Sequence, residues 1–301
     1  MDSAETPKAR RGAQSTSATA APRSVLVGLI GAGIQGSRMP ALHEAEAAAQ
    51  GLHYVYKLID LSVLGLAESA LAELLTAARR FGFAGLNVTH PCKQAVLPLL
   101  DLLSDDARTI GAVNTVVFEP DGRTIGHNTD VSGFAESFRR ELAEVARDSV
   151  VQLGAGGAGA AVAHALLGLG VKRLELIDTD RARAERLSRA LSRRFGADRA
   201  VVAEAADLAI AHADGVVNAT PIGMEKYPGT PVEARLLRGD LWVADIIYFP
   251  IETDLLRDAR AAGCRTMGGG GMAVFQAVGA FRLFTGIEPD AQRMLRHFER
   301  L

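Results

Sequence analysis

The chain has 301 residues, of which 48% are hydrophobic and 23% are charged, and its formal net charge is -2. This length and composition are typical of a globular protein with about two domains. The nearly neutral charge gives no basis for a nucleic-acid partner, and no apolar run reaches the ~18 residues that a membrane span requires.

Residues 1–23 are rich in Ala, Ser, Thr, Pro and Arg and contain no apolar signal core, so we expect a disordered tail. The two cysteines, Cys92 and Cys264, lack the spacing of metal ligands. We therefore expect thiols in a reducing compartment and no metal site, which favours a cytoplasmic location.

The first half of the chain alternates predicted strands and helices. Short apolar runs predict strands, and Ala- and Leu-rich periodic segments predict helices. The predicted strands are 25–30, 54–60, 85–88 and 112–118, and the predicted helices are 40–50, 67–80 and 95–103. This alternation predicts a mainly parallel sheet that helices cover on both faces.

The same alternation restarts after a divide near residues 130–149. The predicted strands are 150–153, 174–177, 216–218 and 242–247, and the predicted helices are 160–169, 272–284 and 291–300. Because α/β units lie on each side of the divide, the sequence predicts an α/β protein with two α/β domains.

Two G-x-G-x-x-G motifs each follow a predicted strand and precede an acid by about 20 residues, as in dinucleotide sites. The first comprises Gly31, Gly33 and Gly36, and the second comprises Gly154, Gly156 and Gly159. Residues 160–163 can start a helix directly after the second motif, and its N-terminus would attract a pyrophosphate. Pro40 delays the helix after the first motif. We therefore predict that the second motif binds a dinucleotide and that the first is a glycine turn.

Asp178 and Asp180 follow the next predicted strand. A carboxylate at this position can accept hydrogen bonds from ribose hydroxyls and repels the 2′-phosphate of NADP. Arg181 and Arg183 are the counter-argument, since a nearby arginine can hold a phosphate. From the two acids we predict NAD as the cofactor, with NADP as the less favoured alternative.

Polar residues cluster in three stretches: 87–93 at the end of a predicted strand, 126–130 at the predicted divide, and 114–115 between them. Hydride transfer to a ketone requires a proton donor, and amide and hydroxyl groups suit the recognition of a polyol. Lys93 could supply the proton, with Asp130 orienting its ammonium, and His90 is an alternative general acid. The ordinary interpretations, a solvated surface lysine and a helix-capping turn, stay open at this point.

Taken together, these segments resemble the shikimate/quinate dehydrogenase family. The matching stretches are 83–93, 110–115, 126–130, 154–159, 218–224, 245–248, 276–277 and 280–281. They run in the family's order from about residue 25 to the C-terminus. A joint match of this kind is far more specific than one glycine motif.

The resemblance implies a role for each of three groups of residues. It makes Lys93 and Asp130 the catalytic pair. It implies substrate contacts at Ser37, Asn87, Thr89, Asn114, Tyr248 and Gln276. It implies cofactor contacts at Gly154, Ala155, Gly156, Gly157, Ala158, Gly159, Asp178, Asn218, Ala219, Thr220, Gly271 and Met272.

The resemblance also implies domain boundaries and a reaction. A substrate domain at 24–130 would be completed by C-terminal helices at 273–301, and a Rossmann-like dinucleotide-binding domain would occupy 131–272. The reaction would be reversible hydride transfer between NAD and a cyclic carboxylic acid, shikimate or quinate. The alternatives are a dehydrogenase of an amino analogue or another secondary-metabolite acid, and a catalytically silent dinucleotide sensor. A homodimer stays an open alternative.

The chain departs from the family pattern at two places. NADP-using members usually carry Asn-Arg-Thr where this chain has Asp178, Thr179 and Asp180, and this difference supports NAD. The carboxylate-binding loop usually has two hydroxyl residues, whereas here the pair is Ser37 and Met39. A lost hydrogen bond to a charged group costs about 1.5–3 kcal/mol, so Met39 predicts weaker shikimate binding or a different cyclic acid.

Overall fold

The computed structural model describes residues 24–301, and the tail predicted at 1–23 lies outside them. Within the described range the chain forms two six-stranded sheets with helices packed around them, which confirms the α/β class. None of the helices between residues 24 and 301 combines the length and apolarity that a bilayer crossing requires.

The first sheet contains both parallel and antiparallel strands. Its strands are β1 (Ser24–Gly31), β2 (His53–Asp60), β3 (Gly85–Val88), β4 (Leu102–Leu103), β5 (Thr115–Phe118) and β6 (Thr124–His127). They are arranged in the order β2-β1-β3-β5-β6-β4. Strand β1 pairs in parallel with β2 and β3, whereas β5 is antiparallel to both β3 and β6. Strands β3 and β6 therefore run in the same direction, and their carboxyl ends lie at the same edge of the sheet.

The second sheet is parallel throughout. Its strands are β7 (Ser149–Leu153), β8 (Arg173–Ile177), β9 (Ala200–Val202), β10 (Gly215–Asn218), β11 (Trp242–Asp245) and β12 (Arg265–Met267). Their order is β12-β11-β10-β7-β8-β9, so the direction of winding reverses between β7 and β10. In doubly wound sheets, ligands bind outside the carboxyl ends of the strands at such a switch point.

Helices connect most of these strands. They are α1 (Met39–Ala49), α2 (Leu61–Leu64), α3 (Leu71–Arg80), α4 (Cys92–Ala95), α5 (Asp105–Ile110), α6 (Asp130–Glu141), α7 (Gly157–Gly168), α8 (Arg181–Phe195), α9 (Ala206–Ala211), α10 (Asp254–Ala261), α11 (Gly269–Thr285) and α12 (Ala291–Phe298). The helix predicted at 95–103 is wrong, because α4 ends at Ala95 and a 3₁₀ turn, Leu97–Leu99, follows. Pro98 lacks an N–H and clashes with a preceding helical turn, so it ends the helix here.

The last two helices return to the first sheet. Helix α11 begins against the end of β11, where a Cβ on Gly269 would be 2.3 Å from the carbonyl oxygen of Ile246. Farther along α11, Phe281 joins a hydrophobic core that also contains Val27 of β1 and Tyr54 of β2. Phe298 of α12 belongs to the same core. The first sheet therefore buries one face against the C-terminal end of the chain.

Candidate functional site

Lys93 and Asp130 form an ion pair at the edge of the first sheet. The Nζ atom of Lys93 is 2.6 Å from Oδ2 of Asp130, and the two side chains are only 19% and 8% exposed. Lys93 follows β3 and Asp130 follows β6, and these strands end at the same edge. A charge-assisted hydrogen bond in such a shielded place fixes the direction of the ammonium group. The structure thus brings the two residues together, as the sequence analysis expected.

Asn114 holds the other oxygen of the Asp130 carboxylate. Its Nδ2 donates to Oδ1 of Asp130 at 2.9 Å, and its Oδ1 accepts from the backbone N–H of Thr129 at 2.8 Å. The backbone N–H of Asp130 donates to Oδ1 of Asn128 at 3.1 Å. The carboxylate is therefore constrained on both sides, and one oxygen remains directed at Lys93.

Asn87 extends this polar group into the sheet and reveals a residue that the sequence analysis missed. The hydroxyl of Tyr56 donates to Oδ1 of Asn87 at 2.8 Å, and Nδ2 of Asn87 donates to Oγ1 of Thr115 at 3.0 Å. The alternation of Tyr54, Tyr56 and Leu58 with other residues in the predicted strand is the signal that could have shown that Tyr56 points inward. Its partner, which is 31 residues away in the sequence, could not be found from a local pattern.

Ser37, Met39 and Gln276 lie together where the loop after β1 enters α1. The backbone N–H of Met39 donates to Oγ of Ser37 at 3.3 Å, and Nε2 of Gln276 donates to the Met39 sulfur at 3.3 Å. Gln276 also donates to the carbonyl of Ala273 at 3.0 Å. Met39, which departs from the family pattern, is thus in direct contact with Gln276, a residue expected to bind the substrate.

The two remaining expected substrate residues, Thr89 and Tyr248, follow the carboxyl ends of β3 and β11. Thr89 follows β3, and its backbone N–H donates to the carbonyl of Ile30 at 2.9 Å. Tyr248 follows β11, and desolvation of its hydroxyl raises its pKa; the negative charge of Asp130 adds to this rise, and Arg38 opposes it. The alternative general acid, His90, has an exposed side chain and is not part of the Lys93–Asp130 pair.

The second glycine motif fits the stereochemical demands of a dinucleotide loop. Gly154 has a φ of +96°, and a Cβ there would be 2.6 Å from the carbonyl oxygen of Ala219. A Cβ on Gly159 would be 2.3 Å from the carbonyl oxygen of Gly154. A Cβ on Gly156 would meet nothing within 4 Å. Two of the glycines therefore allow close packing, and the third leaves space in which a pyrophosphate can approach the backbone.

This glycine loop lies directly against Lys93. A Cβ on Gly157, the first residue of α7, would be 3.8 Å from both Cβ and Cδ of Lys93. The same Cβ would be 3.9 Å from Cβ of Ala112. The N-terminus of α7, where unpaired N–H groups favour an anion, is therefore next to the ion pair of the first sheet.

The two acids after β8 have different environments. Oδ2 of Asp178 accepts from the backbone N–H of Ala155 at 2.7 Å, Oδ1 accepts from Asp180 N–H at 2.8 Å, and the side chain is 6% exposed. The side chain of Asp180 is 42% exposed and caps α8 by accepting from the backbone N–H of Arg183 at 3.2 Å. Asp178 thus anchors the glycine loop, whereas Asp180 is more exposed and its Oδ2 lies 3.7 Å from Arg183 and 3.8 Å from Arg186.

Asp60 occupies the corresponding position after the first glycine motif. Its carboxylate accepts from the backbone N–H groups of Gly33 and Ile34, both at 2.9 Å. Helix α1 begins only at Met39, after the loop has ended. Two backbone donors of the first loop are therefore already used inside the protein, and no helix starts within the loop, which agrees with a glycine turn.

The turn after β10 is held by buried polar groups. Nδ2 of Asn218 donates to Oδ1 of Asp245 at 3.0 Å, and Oδ1 of Asn218 accepts from the hydroxyl of Thr220 at 2.7 Å. Burial raises the pKa of the Asp245 carboxyl to about 6, although hydrogen bonds from Ile247, Thr253 and Asn218 oppose this rise. Asp245 lies in a matching family segment, but its role in holding this turn was not predicted.

Gly271 and Met272, which were expected near the nicotinamide, lie in the first turn of α11. A Cβ on Gly271 would be 2.2 Å from Oγ of Ser137 in α6, and Met272 is buried. The absence of a side chain at Gly271 therefore allows α11 to pack closely against α6, the helix that begins with Asp130.

Comparisons with known proteins place this geometry in a family. Residues 29–116 match the family model of the shikimate dehydrogenase substrate binding domain, and residues 269–297 match that of the shikimate 5′-dehydrogenase C-terminal domain. The chain is 59% identical over 274 residues to the shikimate dehydrogenase (NADP(+)) of Streptomyces avermitilis, covering 90% of this chain and 94% of the relative. It is 53% identical over 277 residues to the quinate/shikimate dehydrogenase (NAD(+)) of Corynebacterium efficiens, covering 91% and 98%.

A solved structure agrees with these relatives. The quinate dehydrogenase from Corynebacterium glutamicum in complex with NAD superimposes with a TM-score of 0.87 and is 51% identical, covering 93% of this chain and 100% of that chain. Identity at this level over nearly the full described length establishes more than a shared fold. The chain belongs to the shikimate dehydrogenase family of oxidoreductases, which use a nicotinamide dinucleotide.

Proposed function

We propose that the chain catalyses reversible hydride transfer between NAD and a cyclic hydroxy acid, interconverting shikimate and 3-dehydroshikimate or quinate and 3-dehydroquinate. The observation that carries this proposal is the position of Lys93, between the carboxylate of Asp130 at 2.6 Å and Gly157 of the glycine loop. A group that can donate or accept a proton is thereby next to the loop that would bind the dinucleotide. In this proposal, residues 24–130 with 273–301 form the substrate domain, and 131–272 form the dinucleotide-binding domain.

Lys93 handles the proton of the reaction. When bound, the nicotinamide donates a hydride to the carbonyl carbon in reduction and accepts it in oxidation. In reduction the Lys93 ammonium gives its proton to the oxygen that becomes the hydroxyl, and in oxidation the lysine amine takes that proton back. Asp130 accepts a hydrogen bond from Lys93 and so directs the nitrogen toward the substrate oxygen, while Asn114 keeps the carboxylate in place.

The substrate would lie between the ion pair and the N-terminal end of α1. Ser37, Asn87, Thr89, Asn114, Tyr248 and Gln276 are the proposed contacts. Ser37 offers one hydroxyl to the carboxylate of the acid, and Met39 offers a sulfur that is a weak acceptor and cannot donate. Met39 is the observation that favours a second candidate, an acid other than shikimate, such as an amino analogue. The retained Lys93–Asp130 pair favours an enzyme over a silent sensor.

The dinucleotide would bind at the carboxyl ends of the strands of the second sheet, near the switch point between β7 and β10. The proposed pyrophosphate site is the loop and first turn of α7, formed by Gly154, Ala155, Gly156, Gly157, Ala158 and Gly159. Asn218, Ala219, Thr220, Gly271 and Met272 would border the nicotinamide. Relatives are named for both NAD and NADP, so the preference for NAD rests on Asp178 and Asp180. Of these, the more exposed Asp180 is the acid that would repel a 2′-phosphate.

The test is a panel of shikimate, quinate and their amino analogues, each with NAD and with NADP, followed by the absorbance of the reduced cofactor. We expect turnover of at least one acid and higher efficiency with NAD. Lys93→Ala should lower turnover by about 10²–10⁴-fold and leave NAD affinity nearly unchanged. Lys57→Ala, at an exposed position on β2, is the matched control. The proposal fails if no acid reacts with either cofactor, or if Lys93→Ala retains full turnover.

A further inference from the structure

Four hydrogen bonds run without a break from β2 to the first residue of α6. Tyr56 Oη donates to Asn87 Oδ1 (2.8 Å), Asn87 Nδ2 to Thr115 Oγ1 (3.0 Å), Thr115 Oγ1 to Asn114 Oδ1 (3.0 Å), and Asn114 Nδ2 to Asp130 Oδ1 (2.9 Å). All five residues are less than 9% exposed. Because these groups are largely shielded from bulk water, each donor depends mainly on its protein partner.

The chain of bonds has one direction. The carboxylate of Asp130 can only accept, so the amide nitrogen of Asn114 faces it and the amide oxygen faces the N–H of Thr129. Thr115 then donates to that oxygen, which leaves the Thr115 oxygen free to accept from Asn87. The oxygen of Asn87 in turn requires a donor from outside the chain.

We propose that Tyr56 is a positioning residue of the active site: its hydroxyl supplies the terminal donor that fixes the Asn87 amide and, through Thr115 and Asn114, the carboxylate of Asp130. This inference rests on the proposed role of Asp130. Burial raises the pKa of the Tyr56 hydroxyl well above its usual range, so the hydroxyl keeps its proton at any pH at which the enzyme works. The hydroxyl of Tyr56 bonds to Asn87, so in this proposal Tyr56 acts on Asp130 through Asn87.

Removing this donor leaves a buried amide oxygen without a partner. The oxygen of Asn87 can regain a donor if its amide turns and the Thr115 hydroxyl rotates toward it. Asn114 would then lose that hydroxyl as a donor, and Asp130 would lose part of its support. The loss of one buried hydrogen bond corresponds to about a tenfold change, so we expect kcat to fall about tenfold in Tyr56→Phe. The KM for the acid should rise as well, because the Asn87 amide that turns is itself a proposed substrate contact.

Strand β2 provides a matched control. Tyr54 is also buried, and its hydroxyl bonds to Nδ1 of His43 at 3.1 Å and does not reach Asn87. Tyr54→Phe should therefore leave kcat within about twofold of the parent. At the middle of the chain, Thr115→Val keeps the shape and removes the hydroxyl, so it should lower kcat like Tyr56→Phe. Thr115→Ser keeps the hydroxyl and should restore most of kcat.

A second measurement does not depend on the substrate. The sequence contains four asparagines, Asn87, Asn114, Asn128 and Asn218, so selective ¹⁵N labelling of asparagine gives four side-chain amide signals, which single Asn→Asp variants assign. Tyr56→Phe should shift the signals of Asn87 and Asn114 and leave that of Asn218, which lies in the second sheet. Tyr54→Phe should leave the Asn87 and Asn114 signals in place.

The two measurements separate the possible failures. If no acid is turned over by the parent enzyme, the proposed function fails, and the Asn114 signal alone decides the role of Tyr56. An Asn114 signal that Tyr56→Phe does not move overturns the inference. A moved signal with an unchanged kcat in an active enzyme overturns it as well, because the chain would then not support Asp130.

Discussion

The sulfur of Met39 accepts a hydrogen bond from the side-chain amide of Gln276 at 3.3 Å. These residues are 237 positions apart in the sequence and meet because α11 returns to the first sheet beside α1. A thioether sulfur is a weak acceptor and offers no donor. The expected carboxylate loop therefore has a polarizable apolar atom at the position where the family resemblance implies a hydroxyl.

Met39→Thr should strengthen the binding of shikimate or quinate. The new hydroxyl can donate to the substrate carboxylate, so KM should fall by about tenfold with little change in kcat. Met39→Leu, which keeps the volume and adds no hydroxyl, is the control. Steady-state kinetics with both acids measure the effect. Equal KM values for the Thr and Leu variants would show that the carboxylate does not bind at this loop.

Asp180→Asn should shift the cofactor preference toward NADP. The substitution removes the repulsion of a 2′-phosphate by an exposed carboxylate and leaves Arg183 nearby to attract it, so kcat/KM for NADP should rise by roughly tenfold. Glu185→Gln, at another acid of α8, should leave the ratio of NAD to NADP efficiency unchanged. If Asp178→Asn changes the ratio and Asp180→Asn does not, Asp178 is the residue that discriminates.

Gly156→Ala and Gly159→Ala should both weaken NAD binding, but only Gly159→Ala should also lower the thermal stability. The first methyl group meets nothing within 4 Å, so the melting temperature should stay near that of the parent while KM for NAD rises at least tenfold, because the methyl occupies the approach of the pyrophosphate. The second would be 2.3 Å from the carbonyl oxygen of Gly154, so this variant should lose thermal stability as well. Gly168→Ala, in an open position at the end of α7, should leave KM for NAD unchanged and should not lower the melting temperature, since alanine favours a helix over glycine. If Gly156→Ala keeps the parental KM for NAD, the dinucleotide does not bind at this loop.

The protein should lose stability as the pH falls because of His43. This side chain is fully buried, and burial lowers its pKa from 6.5 to about 3. The unfolded chain therefore takes up a proton near pH 6.5 that the native state does not, so the stabilisation is complete above pH 6.5 and declines below it. Between pH 7 and pH 5 this group should remove about 2 kcal/mol of the free energy of unfolding.

Urea denaturation of the parent and of His43→Leu at both pH values measures this contribution. The variant should show a smaller decrease between pH 7 and pH 5, even if its stability at pH 7 differs from that of the parent. His53→Leu, at an exposed position on β2, should keep the full decrease. An identical decrease in the parent and in His43→Leu would contradict the assignment.

The strands were largely predictable because a buried parallel strand is a short apolar run between turn residues. The run predicted at 25–30 is the centre of β1, and the run at 150–153 lies within β7. The helix at 130–141 was not predicted, since its polar first residue, Asp130, follows a stretch that also suits a capping turn. Pro98 shows the opposite error, where an apolar pattern was extended through a residue that ends a helix.

The chemistry of the site was predictable in type and not in detail. The sequence marked Lys93 and Asp130 because each lies in a polar cluster and because the family resemblance makes them the catalytic pair. The sequence could not show that the Asp178 carboxylate accepts a hydrogen bond from the N–H of Ala155, since that depends on how the glycine loop folds beside β8. Tyr56 was missed because a tyrosine in an alternating strand usually indicates only packing.

The return of α11 and α12 to the first sheet has a consequence for biosynthesis. Residues 25–56 contribute one wall of a core whose other wall is residues 273–298. A ribosome that has just released the first sheet has yet to translate the whole second sheet before Phe281 and Phe298 emerge. During that interval Val27 and Tyr54 lack the apolar cover of α11 and α12, so this part of the nascent chain exposes apolar surface of the kind that chaperones bind.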